Sequence, residues 1–125
     1  QGTITTQKET IEAYNEFLKT LKIKTKLSIF VKKSIRNHKI NLEKLKLFKI
    51  GEEKQSIIDY EIPIDDLDND KKFVLFLIDL EETNINSYKE AIIEILDPKL
   101  KEIMINIISK DSINLKMLRN FNQGF

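Results

Sequence analysis

Two periods of hydrophobic recurrence divide the chain, and they predict a mixture of helices and strands. Ile11, Tyr14, Leu18 and Leu21 follow helical spacing, with Phe17 beside them. Thr6 and Glu9 stand ahead of them in a capping-box pattern, hydroxyl and carboxylate each reaching a free backbone N–H. The pattern predicts a tail over residues 1–5 and an amphipathic helix from Thr6 to about Leu21. Leu27, Ile29 and Val31 then alternate within a β-branched and aromatic run, Lys26–Lys32, which predicts a strand.

Ser34–Lys39 is polar and reads as a loop, with His38, the one histidine, as an incidental surface residue. Asn41 can cap a short helix carrying Leu42, Leu45 and Phe48 and ending before Gly51, although Ile40, Leu42 and Leu45 also suit a strand. Lys54–Pro63 reads as an edge strand closed by proline. Phe73–Leu80 is nearly continuous apolar sequence, as expected of a central strand buried on both faces. Ser87 and Glu90 form a second capping box ahead of Ile92, Ile95 and Leu96. Asp97-Pro98 opens another helix, aspartate as cap and proline in its first turn, with Leu100, Ile103, Met104, Ile107 and Ile108 along one side. Asp111 or Ser112 can cap a last helix through Leu115, Leu118 and Phe121. The order predicts an α/β fold: a small mixed β-sheet covered by helices on both faces, an α/β/α sandwich, with residues 6–125 as one domain.

Composition narrows the chemistry. With 125 residues, 41% of them apolar, the chain can bury a core. No cysteine is present, which excludes disulfides, thiolate zinc sites and a cysteine nucleophile. One histidine cannot build a multi-histidine metal site, and three glycines leave no phosphate-cradling loop, so no small-molecule cofactor is expected. The longest apolar run, Phe73–Ile78, is far shorter than the roughly 18 residues of a membrane span.

Net charge is +1, and it conceals a split. Between Lys19 and Lys49 ten lysines and Arg36 face one acid, Glu43; between Glu52 and Asp97 fourteen acids face four lysines. Either the two blocks neutralise each other across the fold or one of them meets a partner. The candidate partner-binding residues are Lys22, Lys24, Lys26, Lys32, Lys33 and Arg36. Scarce arginine and the absence of exposed aromatics weigh against nucleic acid. The acidic turn Asp65-Asp66-Leu67-Asp68-Asn69-Asp70 supplies hard oxygens. Asp66, Asp68, Asp70 and Asp79 form the candidate metal set, with Ca²⁺ as the ion. Asp79, Glu81 and Glu82 would close the central strand.

Several segments in order resemble the TPM domain family of thylakoid-lumen and bacterial-envelope proteins. These are the helix Ile11–Leu21 followed by Thr25–Val31, then Asn41–Gly51, then Val74–Ile78, then Ile95–Lys99 running into Ile107-Ile108. The resemblance implies an α/β/α sandwich, extracytoplasmic and held by a membrane anchor outside this sequence. It implies a protein partner in or near a membrane, and Asp68 and Asp70 are the motif positions that carry over. Some relatives are weak acid phosphatases, but the family's glycines are absent here. The expectation is therefore a non-enzymatic, partner-binding module with a cation at its acidic edge. The alternatives are a weak metal-dependent phosphatase and a cytoplasmic adaptor.

Overall fold

The computed structural model describes residues 3–20, 25–47 and 69–125, and all of its regular structure is helical. Four helices form a bundle: α1 (Thr3–Thr20), α2 (Thr25–Lys46), α3 (Asp70–Ile92) and α4 (Pro98–Gln123). The expected α/β/α sandwich is therefore overturned, since the described residues contain no strand. Lys26–Lys32 and Phe73–Leu80, read as strands, lie inside α2 and α3. Lys54–Pro63 and the turn before Asn69 lie outside the described residues. None of the four helices is long and apolar enough to cross a membrane.

The reason for the correction is visible in what each helix buries. Along α2 the buried positions are Leu27, Phe30, Val31, Ser34, Ile35, His38, Asn41, Leu42 and Leu45, a continuous i, i+3, i+4 stripe. Three of its members are polar, so the hydrophobic period breaks between Ser34 and Asn41 and the sequence reads there as a loop. Ile29, which completed the strand-like alternation, is 59% exposed. In α3 the stripe is Phe73, Val74, Leu77, Leu80, Glu81, Asn84, Ile85 and Tyr88. Leu75, inside the supposed two-faced strand, points outward. Local β preference in such runs is about 1 kcal/mol or less per residue, and helix packing overrides it.

α1 begins at Thr3, so the expected tail over residues 1–5 is partly helical and the Thr6–Glu9 pair lies inside the helix rather than capping it. Capping fixes the starts of α3 and α4. Asn69 accepts a hydrogen bond from the Lys72 N–H (2.9 Å) at the head of α3. Asp97 accepts from the N–H groups of Lys99 (2.9 Å) and Leu100 (3.4 Å), with Pro98 in the first turn of α4. Asp111 and Ser112 cap nothing, because α4 runs straight through them. Ser87 and Glu90 are likewise interior to α3.

α1 pairs with α2 and α3 with α4 as hairpins, and the hairpins meet through α1 against α3 and α2 against α4. Phe17 stacks on Phe73 at 4.4 Å while Gln7 reaches Tyr88, so α1 and α3 run antiparallel. Phe30 meets Phe121 at 5.2 Å while Asn41 reaches Asp111, so α2 and α4 do too. The helices thus run up, down, down and up, and α2 ends at the opposite end of the bundle from where α3 begins. One apolar cluster, centred on Phe17, Phe30, Phe73 and Leu77, fills the end where α3 starts. A second, centred on Leu45, Tyr88, Met104 and Ile107, fills the other. Between them lies a level of polar side chains.

Candidate functional site

Every helix contributes to this polar level. α1 supplies Gln7, Thr10 and Tyr14, α2 supplies Ser34, His38 and Asn41, α3 supplies Glu81, Asn84 and Tyr88, and α4 supplies Asp111 and Asn114. All are buried, and Gln7, Asn41 and Glu81 have no exposed surface. Each sits at a stripe position where a hydrocarbon would otherwise stand. Burying polar groups in this way is tolerated only if they partner one another.

Most of them do. His38 Nδ1 lies 2.8 Å from Gln7 Oε1, and its Nε2 lies 3.0 Å from Glu81 Oε2. Gln7 Nε2 donates to the Tyr88 hydroxyl (2.9 Å). The Tyr14 hydroxyl donates to Glu81 Oε2 (3.0 Å), and Asn114 Nδ2 donates to both (2.6 Å each). Ser34 Oγ donates to Asn114 Oδ1 (2.7 Å), and Asn41 Nδ2 donates to Asp111 Oδ1 (3.2 Å). Asn84 Nδ2 donates to Thr10 Oγ1 (2.7 Å), whose hydroxyl donates to the Thr6 carbonyl (2.8 Å).

The balance of donors and acceptors is uneven. Glu81 Oε1, Asp111 Oδ2 and Asn41 Oδ1 are buried and lack a hydrogen-bond partner. Glu81 Oε1 and Asn41 Oδ1 are acceptors, and Asp111 Oδ2 becomes one when its carboxyl is ionised. The level therefore carries an oxygen surplus beside two carboxyl groups and one imidazole, the arrangement a cation would balance. One ligand atom each from His38, Glu81 and Asp111 lies within 4.8 Å of the others. Donors on one cation with bonds of about 2.1 Å sit roughly 3 to 4 Å apart, so the triad needs a modest contraction to share an ion.

The ionisation of the level follows from its burial. Burial works to lower the His38 pKa, but the charge and hydrogen bond of Glu81, with Asp111 behind it, outweigh that and raise it. Burial pushes the Asp111 carboxyl up to about 7, with His38 opposing and Glu81 reinforcing. Burial and then Glu81 hold the Tyr14 hydroxyl well above its usual range, so it stays a donor. Burial and then Asp111 do the same for Tyr88. Both ring nitrogens of His38 face oxygen acceptors, which suits an imidazolium when no metal is bound.

The candidate residues chosen from sequence fare differently. Asp66 and Asp68 lie outside the described residues. Asp70 opens α3 and Asp79 is exposed midway along it. Nine residues of helix separate them by about 13 Å and turn them to opposite faces, so they do not share an ion. Glu81 and Glu82 lie mid-helix rather than at a strand end; Glu81 is buried and Glu82 pairs with Arg119 (2.7 Å). His38, expected in a surface loop, is 1% exposed at the centre of the bundle. Asp111, expected as a helix cap, is 2% exposed beside it. The signal that could have found them is spacing: Ser34, His38 and Asn41 continue the i, i+3, i+4 stripe of Leu27–Val31. Of the partner-binding candidates, Lys26, Lys32, Lys33 and Arg36 are exposed on α2, while Lys22 and Lys24 lie outside the described residues.

Two cavities lie nearby. One of about 370 Å³ at the end of the bundle is lined by Leu27, Met117, Asn120, Phe121, Gly124 and Phe125, with a single polar side chain and no contact with the triad. A smaller one, about 50 Å³, lies in the seam between α2 and α4, and Ser34 and Asn114 form part of its wall. No family model matches the chain, and comparison with curated proteins and with solved structures finds no match.

Proposed function

We propose that this chain is a metal-binding helical bundle in which His38, Glu81 and Asp111 hold one divalent transition-metal ion. The observation that carries this is the buried oxygen surplus around the triad. An imidazole with two carboxylates suits a borderline dication such as Zn²⁺, Fe²⁺ or Mn²⁺, and disfavours the Ca²⁺ expected from the acidic turn. Gln7 fits the supporting role. Its carbonyl accepts the Nδ1 proton of His38, which leaves Nε2, facing Glu81, to serve as ligand; Asp111, whose Oδ1 lies 3.8 Å from Nδ1, would have to swing toward Nε2 to share the ion. Tyr14 and Asn114 hold one oxygen of Glu81, leaving the other unspent. Bundles whose facing helices project such side chains inward are an established framework for metal sites, a likeness of architecture alone. The seam cavity is well below the roughly 300 Å³ of a small-molecule site, which favours holding an ion over turning over an organic substrate.

A second reading has its own support. Glu81 Oε2 already takes three hydrogen-bond partners, so the level also acts as a structural device that fixes helix register. Titration of the purified, metal-stripped protein with Co²⁺ and Zn²⁺ separates the two. Metal binding predicts one ion per chain, visible Co²⁺ ligand-field bands, and loss of both in His38→Ala and Asp111→Asn variants that keep their helical circular dichroism. A wild-type protein that is fully helical yet takes up no stoichiometric metal leaves only the structural role.

A further inference from the structure

Charge is distributed unequally over the four helices, and the inequality has a side. α2 carries seven bases against Glu43, and α4 carries five bases against Glu102 and the buried Asp111. α1 and α3 each carry more acids than bases. Because α2 lies against α4, the two basic helices share one flank of the bundle. This partition is not visible from net charge.

The seam between them is also apolar. Along α2, Lys26, Ile29, Lys33, Asn37, Ile40 and Lys44 recur at three- and four-residue intervals and lie along one edge. Along α4, Lys110, Ile113, Met117 and Asn120 form the facing row. Ile29 (59%), Ile40 (47%), Ile113 (60%) and Met117 (39%) are exposed there. Neither row contains an Asp or Glu. The seam cavity, walled by Lys33, Asn37, Lys110, Ile113 and Met117, makes the surface concave. Lys44 meets Lys110 across it: burial and then that neighbouring ammonium lower the Lys44 pKa. Two ion pairs on these helices, Lys46–Glu43 and Arg119–Glu82, lie off both rows. Mutual repulsion of lysines beside solvent-facing isoleucines does nothing for the fold of this chain.

We propose that the α2/α4 seam is a docking groove for an acidic amphipathic helix of a partner protein. The partner's apolar edge would cover Ile29, Ile40, Ile113 and Met117, and its carboxylates would lie between Lys33, Lys44 and Lys110. Charge complementarity selects the sign of the partner, and paired apolar rows flanking a concave seam select a helix laid into a groove. A membrane surface would call for a convex apolar ridge with aromatic anchors, and these rows contain no aromatic residue. Nucleic acid would call for stacking aromatics or arginine along the groove, and neither row contains either. The docking groove is independent of the metal reading and stands whether or not an ion binds.

The test uses the full chain and a fluorescein-labelled helical peptide of Glu and Leu, apolar along one edge. A peptide of the same composition with its leucines spread around the helix serves as control. The amphipathic peptide should bind saturably at micromolar concentration, and the control about tenfold more weakly or worse, about 1.4 kcal/mol. Ile113→Ser/Met117→Ser and Lys33→Glu/Lys110→Glu should each weaken binding about tenfold without moving the melting temperature, since all four side chains are exposed. Equal binding of the control would reduce the groove to a charged flank and overturn the proposal. So would no peptide binding at all, or tighter binding to phosphatidylserine vesicles or to a single-stranded oligonucleotide.

Discussion

The level of the bundle around Phe17 and Phe73 and the level around His38 and Glu81 are built by the same four helices, about two turns apart, and they are held together differently. In the first, Phe17 stacks on Phe73 at 4.4 Å, and Leu77, Val31 and Leu118 close around them without a polar atom. Its stability comes from area removed from water, and any set of hydrocarbons filling the same volume would supply it. In the second, each side chain is tolerable only because a particular atom on another helix meets it. Glu81 Oε2 alone is met by α1 through Tyr14, by α2 through His38 and by α4 through Asn114. The dry level makes the bundle stable, and the polar level fixes which helix stands beside which and at what height; among the described residues it also holds the one group of histidine and carboxylates close enough together to share an ion.

The largest effects should come from breaking either level singly. Phe73→Ala leaves a cavity in the dry level and should cost about 3–5 kcal/mol in urea denaturation. Glu81→Ala should cost about as much, roughly 3–5 kcal/mol, for a different reason, because it strands His38, Tyr14 and Asn114 without their acceptor. The two levels part company when replaced wholesale. Changing the connected network as a whole (Gln7, Tyr14, Ser34, His38, Asn41, Glu81, Tyr88, Asp111 and Asn114) to apolar residues of similar volume should be neutral or stabilising by about 1–4 kcal/mol in the metal-free protein, while abolishing metal uptake. Changing His38, Glu81 and Asp111 alone should still destabilise, because Gln7, Tyr14, Asn41 and Asn114 lose partners. A wholesale replacement that melts far below wild type would show that the polar level is itself the main source of stability.

Acidity sharpens the contrast next. Asp111 holds its proton to about pH 7 in the folded chain and loses it near 4 when unfolded, so the folded state binds more protons in between. Stability should therefore fall as pH rises from about 4 to 7. His38, whose folded pKa is raised, extends the decline above its ordinary value of about 6.5. Urea midpoints measured across that range should flatten in Asp111→Asn, whereas dry-level variants should keep the wild-type slope. Added Zn²⁺ should reverse the slope, because the ion displaces those protons and binds more tightly as pH rises.

The smallest effects belong outside both levels. Asp97→Ala removes the acceptor for two N–H groups at the head of α4 and should cost about 1 kcal/mol. Arg119→Ala removes an exposed pair with Glu82 and should cost less, about 0.2–1 kcal/mol, both read by urea denaturation.

How much of this was legible differs by helix. α1 could be read from Ile11, Tyr14 and Leu18 because most of its buried positions are apolar. The start of α4 could be read from Asp97-Pro98, because a cap is a local chemical fact. α2 reads as strand, loop and short helix because Ser34, His38 and Asn41, the residues it contributes to the polar level, interrupt its apolar period. The first half of α3, Phe73–Leu80, reads as a strand because six apolar residues in a row carry no period.

Charge blocks, helix caps and the supply of apolar side chains were determined by the sequence itself, since each depends on neighbours a few positions away. Which polar residues were destined for the interior was decided only by the tertiary structure. Glutamine, histidine, asparagine and glutamate belong in water by their own solvation; they are buried here because partners up to 100 residues distant along the chain, as Tyr14 is from Asn114, arrive at the same height of the bundle.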